Sequence, residues 1–387
     1  ALAYALHYLE REKLARLTNY GEFLERHPPV YEVEIREGTA WSCSHGVERW
    51  RSDCGCNTGR GWSQRWRGPL RGALDWLRDQ IAGPFEAIGL TLLRDPWAAR
   101  DDYIAVMRDR SDAQVEAFLG RHVRRSLEPH ERVSVLKLME MQRHALLMYT
   151  SCGWFFDELS GIETVQIIQY AGRVVQLARE LSGEDLEPAF LERLELARSN
   201  LPEYGDGRRI YARWVQPSMA DLLHVSGHFA LSSMFHPAPK QTRIGAYAVE
   251  SLERQEIDAG SARIAWGVCR VTSEVTRETD RVAFGVFHFG GHNLIGGVLH
   301  HPGDDAYRAI ALELKSAFNR ADHAEVIRLI DRRFGDPTYS LKSLFRDEQR
   351  RILGEILNAT LARQEAVYRQ LLDQHVPLMH FLVDLQA

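Results

Sequence analysis

The side chains best suited to binding chemistry lie close together in residues 37–66, whose sequence is EGTAWSCSHGVERWRSDCGCNTGRGWSQRW. This segment holds four of the nine tryptophans and three of the five cysteines, with histidine, arginine and aspartate between them. Its glycines predict an irregular backbone, because glycine allows sharp turns and close approach to a ligand. Indole rings beside charged groups suit a sugar, since a pyranose offers an apolar face and a rim of hydroxyls. The sequence therefore predicts a substrate-binding loop, with the candidate residues Glu37, Trp41, His45, Arg49, Trp50, Arg51, Asp53, Trp62 and Trp66.

A second concentration of unusual side chains, TSCGWFFDE, occupies residues 150–158 in a predicted turn between two helices. Trp154 and Asp157 are the candidate substrate-binding residues of this turn. We expect them to form a wall opposite the first segment, with a polar base between aromatic walls. Cys152 near His144 suggests a nucleophile, and a buried, inert thiol is the alternative. No residue is assigned a catalytic role.

Two other interpretations of residues 37–66 stay open. Three thiols and an imidazole are typical zinc ligands, although gaps of one residue are shorter than those of common zinc motifs. The candidate metal ligands are Cys43, His45, Cys54 and Cys56. The structural alternative is a packed loop with buried Trp and Cys side chains and arginines paired with neighbouring acidic residues. The sugar-binding interpretation itself requires no cofactor.

Helical patterns account for most of the chain. Residues 131–149 are apolar over most of the helix circumference, which predicts a central, nearly buried helix. A helix at residues 69–81 is expected to stop before Pro84, where another begins, and a long C-terminal helix at residues 343–374 is expected to stop before Pro377. Proline predicts these ends because it lacks the N–H that continues a helix.

One of these helices carries a polar stripe. Ser160 and Glu163 match a capping box, which predicts a helix start and a helix over residues 162–181. Four polar side chains then share one face of that helix: Gln166, Gln169, Arg173 and Gln176. The stripe is either a solvated face or the lining of a polar cleft.

The pattern changes to period two at residues 243–298, which predicts an antiparallel sheet of about four strands. The predicted fold class is α+β and predominantly α, a helical bundle with an inserted antiparallel β domain. The bundle is expected over residues 1–240 with a Trp/Cys-rich loop at 37–67, and the β domain over 241–301. Helices at residues 302–387 are expected to pack back on the bundle.

Composition argues against several classes of partner. A formal net charge of -5 and a pI near 6.4 provide no basic field for nucleic acid or an anionic membrane. The longest uncharged run, residues 222–239, contains histidine, serine and proline and is a poor membrane span. The low, odd cysteine count fits a reducing cytoplasm. Because the chain opens ALAYALHYLE without Met and in helical rhythm, we expect a piece of a longer polypeptide.

Several long blocks resemble the region that follows the catalytic barrel in bacterial proteins of the glycoside hydrolase family 57 type. These blocks are LTNYGEFLE, WSCSHGVERWRSDCGC, LLMYTSCGWFFDELSGIETVQIIQYA, HFGGHNLIGGV and YSLKSLFRDEQRRIL, and the tryptophans at 62 and 66 belong with them. In that family a β/α barrel carries the Glu nucleophile and the Asp acid/base, and a helical region adds a Trp-containing segment that closes the glucan cleft. The resemblance places residues 37–41 at that segment, while the barrel and its two carboxylates have no counterpart here.

The resemblance implies that the intact parent protein is a retaining α-glucan hydrolase or glucanotransferase. This chain is then its non-barrel part, lining or closing an α-glucan site, with an N-terminal barrel of the same parent as its partner. The alternative is a non-catalytic interaction module that binds zinc through the four Cys and His side chains.

Overall fold

The architecture is that of a computed structural model, which describes residues 2–40, 43–57, 59–236 and 239–385. Helices predominate, and one five-stranded antiparallel sheet is inserted at residues 241–300, which confirms the predicted fold class. Two compact units divide the chain, residues 1–48 and residues 49–387. The three-domain division stays a prediction. None of the described helices combines the length and the apolar character needed to cross a bilayer.

The first unit contains two short helices, α1 (Leu2–Arg11) and α2 (Tyr20–Arg26). Asn19 starts α2, because its side-chain oxygen accepts a hydrogen bond of 3.0 Å from the backbone N–H of Glu22. Neither helix buries a residue among those described. Since most helices are stabilised by packing an apolar face, local contacts such as this cap carry more of the stability of these two.

The second unit begins inside a 3-10 helix, Gly46–Trp50, and contains the remaining elements. Its α-helices are α3 (Arg67–Leu92), α4 (Pro96–Asp102), α5 (Ile104–Arg108), α6 (Asp112–His122), α7 (Pro129–Leu147), α8 (Cys152–Phe155), α9 (Ile162–Ser182), α10 (Glu187–Leu194), α11 (Gly207–Ile210), α12 (Leu222–Ser232), α13 (Asp304–Asn319), α14 (His323–Phe334) and α15 (Arg346–Asp384). A π-helical turn, Tyr211–Val215, and two 3-10 turns, Gln216–Ser218 and Leu341–Ser343, complete the helical elements.

The helical core is built around α3, α7 and α9, which contact one another. Helix α7 matches the expectation for residues 131–149, since buried side chains surround most of it. They include the polar Lys137, Glu140 and Gln142, which need partners because burying an unpaired charge is costly. The ion-pair partners of Lys137 and Glu140 help to position a cleft that is described below.

The sheet has five strands in chain order, one more than the sequence predicted. They are β1 (Gln241–Ile244), β2 (Tyr247–Ala259), β3 (Ala262–Ser273), β4 (Thr279–His288) and β5 (Leu294–His300), each antiparallel to the next. Helix α12 covers one face of the sheet, and α13 and α14 cover the other. Because both faces are covered, β3 and β4 read as nearly continuous buried runs in place of a clean alternation.

Three predicted helix boundaries differ from the structure. Helix α3 continues through Pro84 and α15 continues through Pro377, where the sequence predicted helix ends. In α3 the buried face continues on both sides of Pro84, and this packing offsets the lost hydrogen bond. Helix α9 starts from Gly161, which has no side chain to accept a capping hydrogen bond, so the capping box predicted at Ser160 is wrong.

Candidate functional site

Residues 49–67 are fixed to the turn at residues 152–158 by buried side chains. Arg67 is fully buried and donates a hydrogen bond of 3.0 Å to the carbonyl oxygen of Phe156. Trp66, 2% exposed, donates from Nε1 to the carbonyl oxygen of Asp157 at 3.1 Å. Helix α8 ends at Phe155, so the carbonyl oxygens that follow are outside helical pairing and accept these side-chain donors. The two segments that the sequence singled out therefore meet.

Two more residues strengthen this junction. The guanidinium of Arg49 lies 5.2 Å from the ring centroid of Phe155 and 3.5 Å from that residue's carbonyl oxygen. Asn200 donates from Nδ2 to the Asp157 carbonyl at 3.3 Å and to Ser63 O at 3.0 Å. No sequence pattern pointed to Asn200, because it lies in an ordinary polar loop far along the chain.

The junction places positive charge beside a thiol. One guanidinium nitrogen of Arg67 lies 3.9 Å from Cys54 Sγ. Burial lowers the pKa of Arg67, and the nearby Cys54 and carboxylates act against that shift. An arginine remains charged even so, and its guanidinium lies beside a thiol of the predicted metal-ligand set.

The remaining candidates divide by exposure. Glu37, His45, Arg51 and Asp53 are exposed, and Trp50 and Trp62 are half-buried. The guanidinium of Arg60 lies 4.9 Å from the ring centroid of Trp62. Arg49, Trp66, Trp154 and Asp157 are buried. Trp41 lies outside the described residues.

Burial decides what the tryptophans can contact. Trp154 is 0% exposed inside the helical core, and its Nε1 lies 3.4 Å from the carbonyl oxygen of Met148. Neither Trp154 nor Trp66 presents a ring face to solvent in this conformation. Both rings pack in the protein interior, behind the exposed candidate residues. Trp62 is half-buried, with the guanidinium of Arg60 over its ring. The sugar-binding role of the candidate residues stays a prediction.

The proposed metal ligands remain a coherent chemical set. In the first unit, Cys43 Sγ lies 3.6 Å from His45 Nδ1. In the second unit, Cys54 and Cys56 are half-buried and flank Gly55, whose positive φ of 78° permits the tight turn between them. By chemical type the four predicted ligands offer three sulfur atoms and one ring nitrogen, a set that suits zinc, and their binding of a metal stays a prediction.

A second candidate site, the polar cleft, lies between α7, α9, the start of β2 and the end of β3, with a volume of about 410 Å³. The predicted polar stripe lines one wall with Gln166, Gln169, Arg173 and Gln176, so the stripe is a cleft lining. The other lining side chains that matter here are Glu140, Arg143 and His144 from α7, Tyr170 from α9, and Tyr247 from β2. Lys137 links the walls, since its Nζ lies 2.9 Å from a Glu180 oxygen on α9 and 2.6 Å from a Glu278 oxygen beyond β3.

A family model described as a domain of unknown function, DUF3536, matches residues 62–345, well over half of the chain. The chain belongs to the DUF3536 family. No curated protein and no solved structure matched it in the same comparisons. Within the DUF3536 region lie the turn at residues 152–158, the whole sheet and every residue of the polar cleft, whereas residues 49–61 precede it.

The charges of the cleft in this DUF3536 domain centre on Glu140. Its carboxylate accepts hydrogen bonds from Tyr103 Oη at 2.8 Å, Arg110 at 2.7 Å and Arg143 at 3.0 Å. Burial opposes ionisation of Glu140, but the arginines and the tyrosine prevail and lower its pKa. Burial lowers the pKa of His144, whose Nδ1 lies 2.8 Å from the Glu140 carbonyl oxygen and therefore carries the proton. The His144 ring is thus neutral, with Nε2 as a hydrogen-bond acceptor.

Two polar atoms of the cleft residues are buried without a hydrogen-bond partner among the described residues. They are Nε of Arg143, a donor, and Oε1 of Gln176, an acceptor. The amide nitrogen of Gln176 is used, since it donates to the carbonyl oxygen of Ala220 at 3.2 Å. Unsatisfied buried polar atoms are uncommon in folded proteins, and an enclosed water or ion, or a functional role of the residue, is a common explanation.

Proposed function

We propose that this chain is the non-barrel part of a family 57-like glycoside hydrolase or glucanotransferase and that residues 49–67 line or close an α-glucan site. One observation carries the proposal: the segment is fixed at its buried side by Arg67, Trp66 and Arg49, while other polar and aromatic groups stay accessible. The accessible groups are Arg51, Asp53 and the Arg60–Trp62 pair. The family resemblance of the quoted sequence blocks supports the glucan.

A fixed loop favours binding because its conformational entropy is lost on folding and not again when the ligand arrives. The half-buried ring of Trp62 offers a stacking surface, and Arg51 and Asp53 offer a donor and an acceptor for sugar hydroxyls. Bond cleavage belongs to the barrel of the parent protein, which is the proposed partner. This chain contributes ligand contacts, and no residue of it is assigned a catalytic role.

The test compares two tryptophans that have an arginine over the ring. Trp62→Ala is expected to weaken binding of a soluble maltooligosaccharide by about 1–3 kcal/mol, the effect of truncating an aromatic contact. Trp214→Ala is the matched control, because Arg213 lies 5.2 Å from its ring centroid and it belongs to neither candidate site. Isothermal titration calorimetry of both proteins decides the matter. Equal affinity in the two variants, or no oligosaccharide binding by the unaltered chain, refutes the proposal.

A zinc-binding interaction module is the second candidate function, favoured by the 3.6 Å contact of Cys43 Sγ with His45 Nδ1 and by the donor set. One zinc per chain, removed by a chelator and lost in Cys54→Ser, is the expected result of metal analysis of the purified protein. Cys152→Ser is the control, because this exposed cysteine is not in the set. Less than stoichiometric zinc after purification with zinc present counts against the module.

A further inference from the structure

We propose that the polar cleft binds a small polyhydroxylated molecule that carries one anionic group, a carboxylate or a phosphate. This is a binding site separate from residues 49–67, and it shares no residue with the segment for which glucan binding is proposed. The inference therefore does not depend on the glucan proposal.

The first argument is the pair of buried, unsatisfied atoms. Nε of Arg143 requires an acceptor, and Oε1 of Gln176 requires a donor. Both atoms are buried, so a ligand reaches them only when the two flexible side chains shift. A ligand that then satisfies both presents an acceptor and a hydroxyl or N–H at separate points, which a molecule with several hydroxyls does and a simple anion does not.

The second argument is the charge of the lining. Among the described residues that line the cleft, Arg143 and Arg173 are cationic and Glu140 is the carboxylate. Glu140 already serves Tyr103 and Arg110 besides Arg143, so it neutralises Arg143 only in part. Arg173 has a loose ion pair, since its guanidinium lies 3.9 Å from a carboxylate oxygen on the same helix. The excess positive charge favours an anionic group on the ligand.

The third argument is the type of the neutral side chains. Gln166 and Gln169 can each donate and accept, and the neutral His144 accepts through Nε2. Tyr170 and Tyr247 add partly exposed rings that pack against carbon-bound hydrogens. Such a mixture recognises hydroxyls on a compact ring or chain. The volume of about 410 Å³ falls within the range of roughly 300–1,000 Å³ of small-molecule sites.

Isothermal titration calorimetry of the full chain tests the ligand class with four probes: glucose 6-phosphate, gluconate, glucose and inorganic phosphate. We expect at least one acidic sugar to bind about tenfold more tightly than both glucose and inorganic phosphate. The first two probes distinguish phosphate from carboxylate as the anionic group. Phosphate binding as tightly as glucose 6-phosphate removes the polyol requirement, glucose binding as tightly as both acidic sugars removes the anionic one, and no binding by any probe overturns the proposal.

Variants locate the site with the better acidic sugar. Arg173→Met is expected to weaken its binding about tenfold or more, and Arg173→Lys less, because lysine keeps the charge. Arg179→Met, which removes the same charge from the same helix outside the cleft, is the control and should bind normally. Gln169→Ala provides a neutral second variant if circular dichroism shows that Arg173→Met is unfolded. Equal loss in Arg173→Met and Arg179→Met, or unchanged binding in both Gln169→Ala and the folded Arg173 variants, overturns the assignment.

Discussion

Replacing Trp154 by alanine separates a packing role of this ring from a binding role. Trp154 is 0% exposed, and its indole N–H contacts a carbonyl oxygen at 3.4 Å. A buried tryptophan removes roughly 200 Å² from water, which corresponds to about 5 kcal/mol at about 25 cal/mol per Å². Residual burial in the unfolded chain reduces that figure, so Trp154→Ala should lower the free energy of unfolding by about 3–5 kcal/mol.

The assay is urea unfolding followed by circular dichroism, with the oligosaccharide titration run on the folded fraction. Trp154→Phe keeps much of the buried ring and should cost less than Trp154→Ala. The half-buried Trp62 serves as the comparison, and Trp62→Ala should cost about 1 kcal/mol or less in stability. A loss below about 1 kcal/mol in Trp154→Ala, combined with weakened oligosaccharide binding, would refute this reasoning and restore Trp154 as a wall of the site.

Three further predictions concern other parts of the second unit. Glu140→Gln should lower the free energy of unfolding at pH 7 by about 3 kcal/mol, and since the native pKa of Glu140 is lowered, the stability of the unaltered protein should fall as the pH drops below 4.5. Burial lowers the pKa of His228 from 6.5 to about 4, so the unfolded state takes up the proton first as the pH falls. The free energy of unfolding measured with urea should therefore fall by about 3 kcal/mol in total between pH 6.5 and 4, and by much less in His228→Leu. In Gly297→Ala the new Cβ would lie 2.4 Å from Phe334 Cβ and should cost about 1–3 kcal/mol in thermal unfolding, whereas Gly354→Ala, in open space on α15, should not destabilise.

Sequence patterns were most informative where one physical signal dominated. The apolar circumference of residues 131–149 predicted a buried helix, and α7 is buried over most of its surface. Period-two alternation located the sheet but not its number of strands, because β1 has only four residues and a half-exposed pattern. Proline gave a wrong helix end at Pro84, since the local rule contains no term for the packing of α3 on both sides of it. Helix α15 also continues through Pro377, although the residues around that proline are exposed and packing does not explain it.

For the candidate sites, the sequence identified residue types better than their depth. It selected Trp154 as a wall residue, yet a tryptophan of the core has the same local signature as one of a cleft. It identified the polar stripe of α9 but not its opposite wall, because Tyr247 comes from a strand far along the chain. The unsatisfied atoms of Arg143 and Gln176 depend on side-chain placement, and no sequence pattern reports them.

The bridge formed by Lys137 has a consequence for kinetics. By holding Glu180 and Glu278 at the same time, Lys137 fixes the spacing between α9 and the turn beyond β3. Separating these elements would break both ion pairs of a buried ammonium group, so we expect the polar cleft to keep its width when a ligand binds. A ligand then enters by diffusion, without waiting for a slow opening step. In stopped-flow measurements the observed rate should rise linearly with ligand concentration and show no plateau.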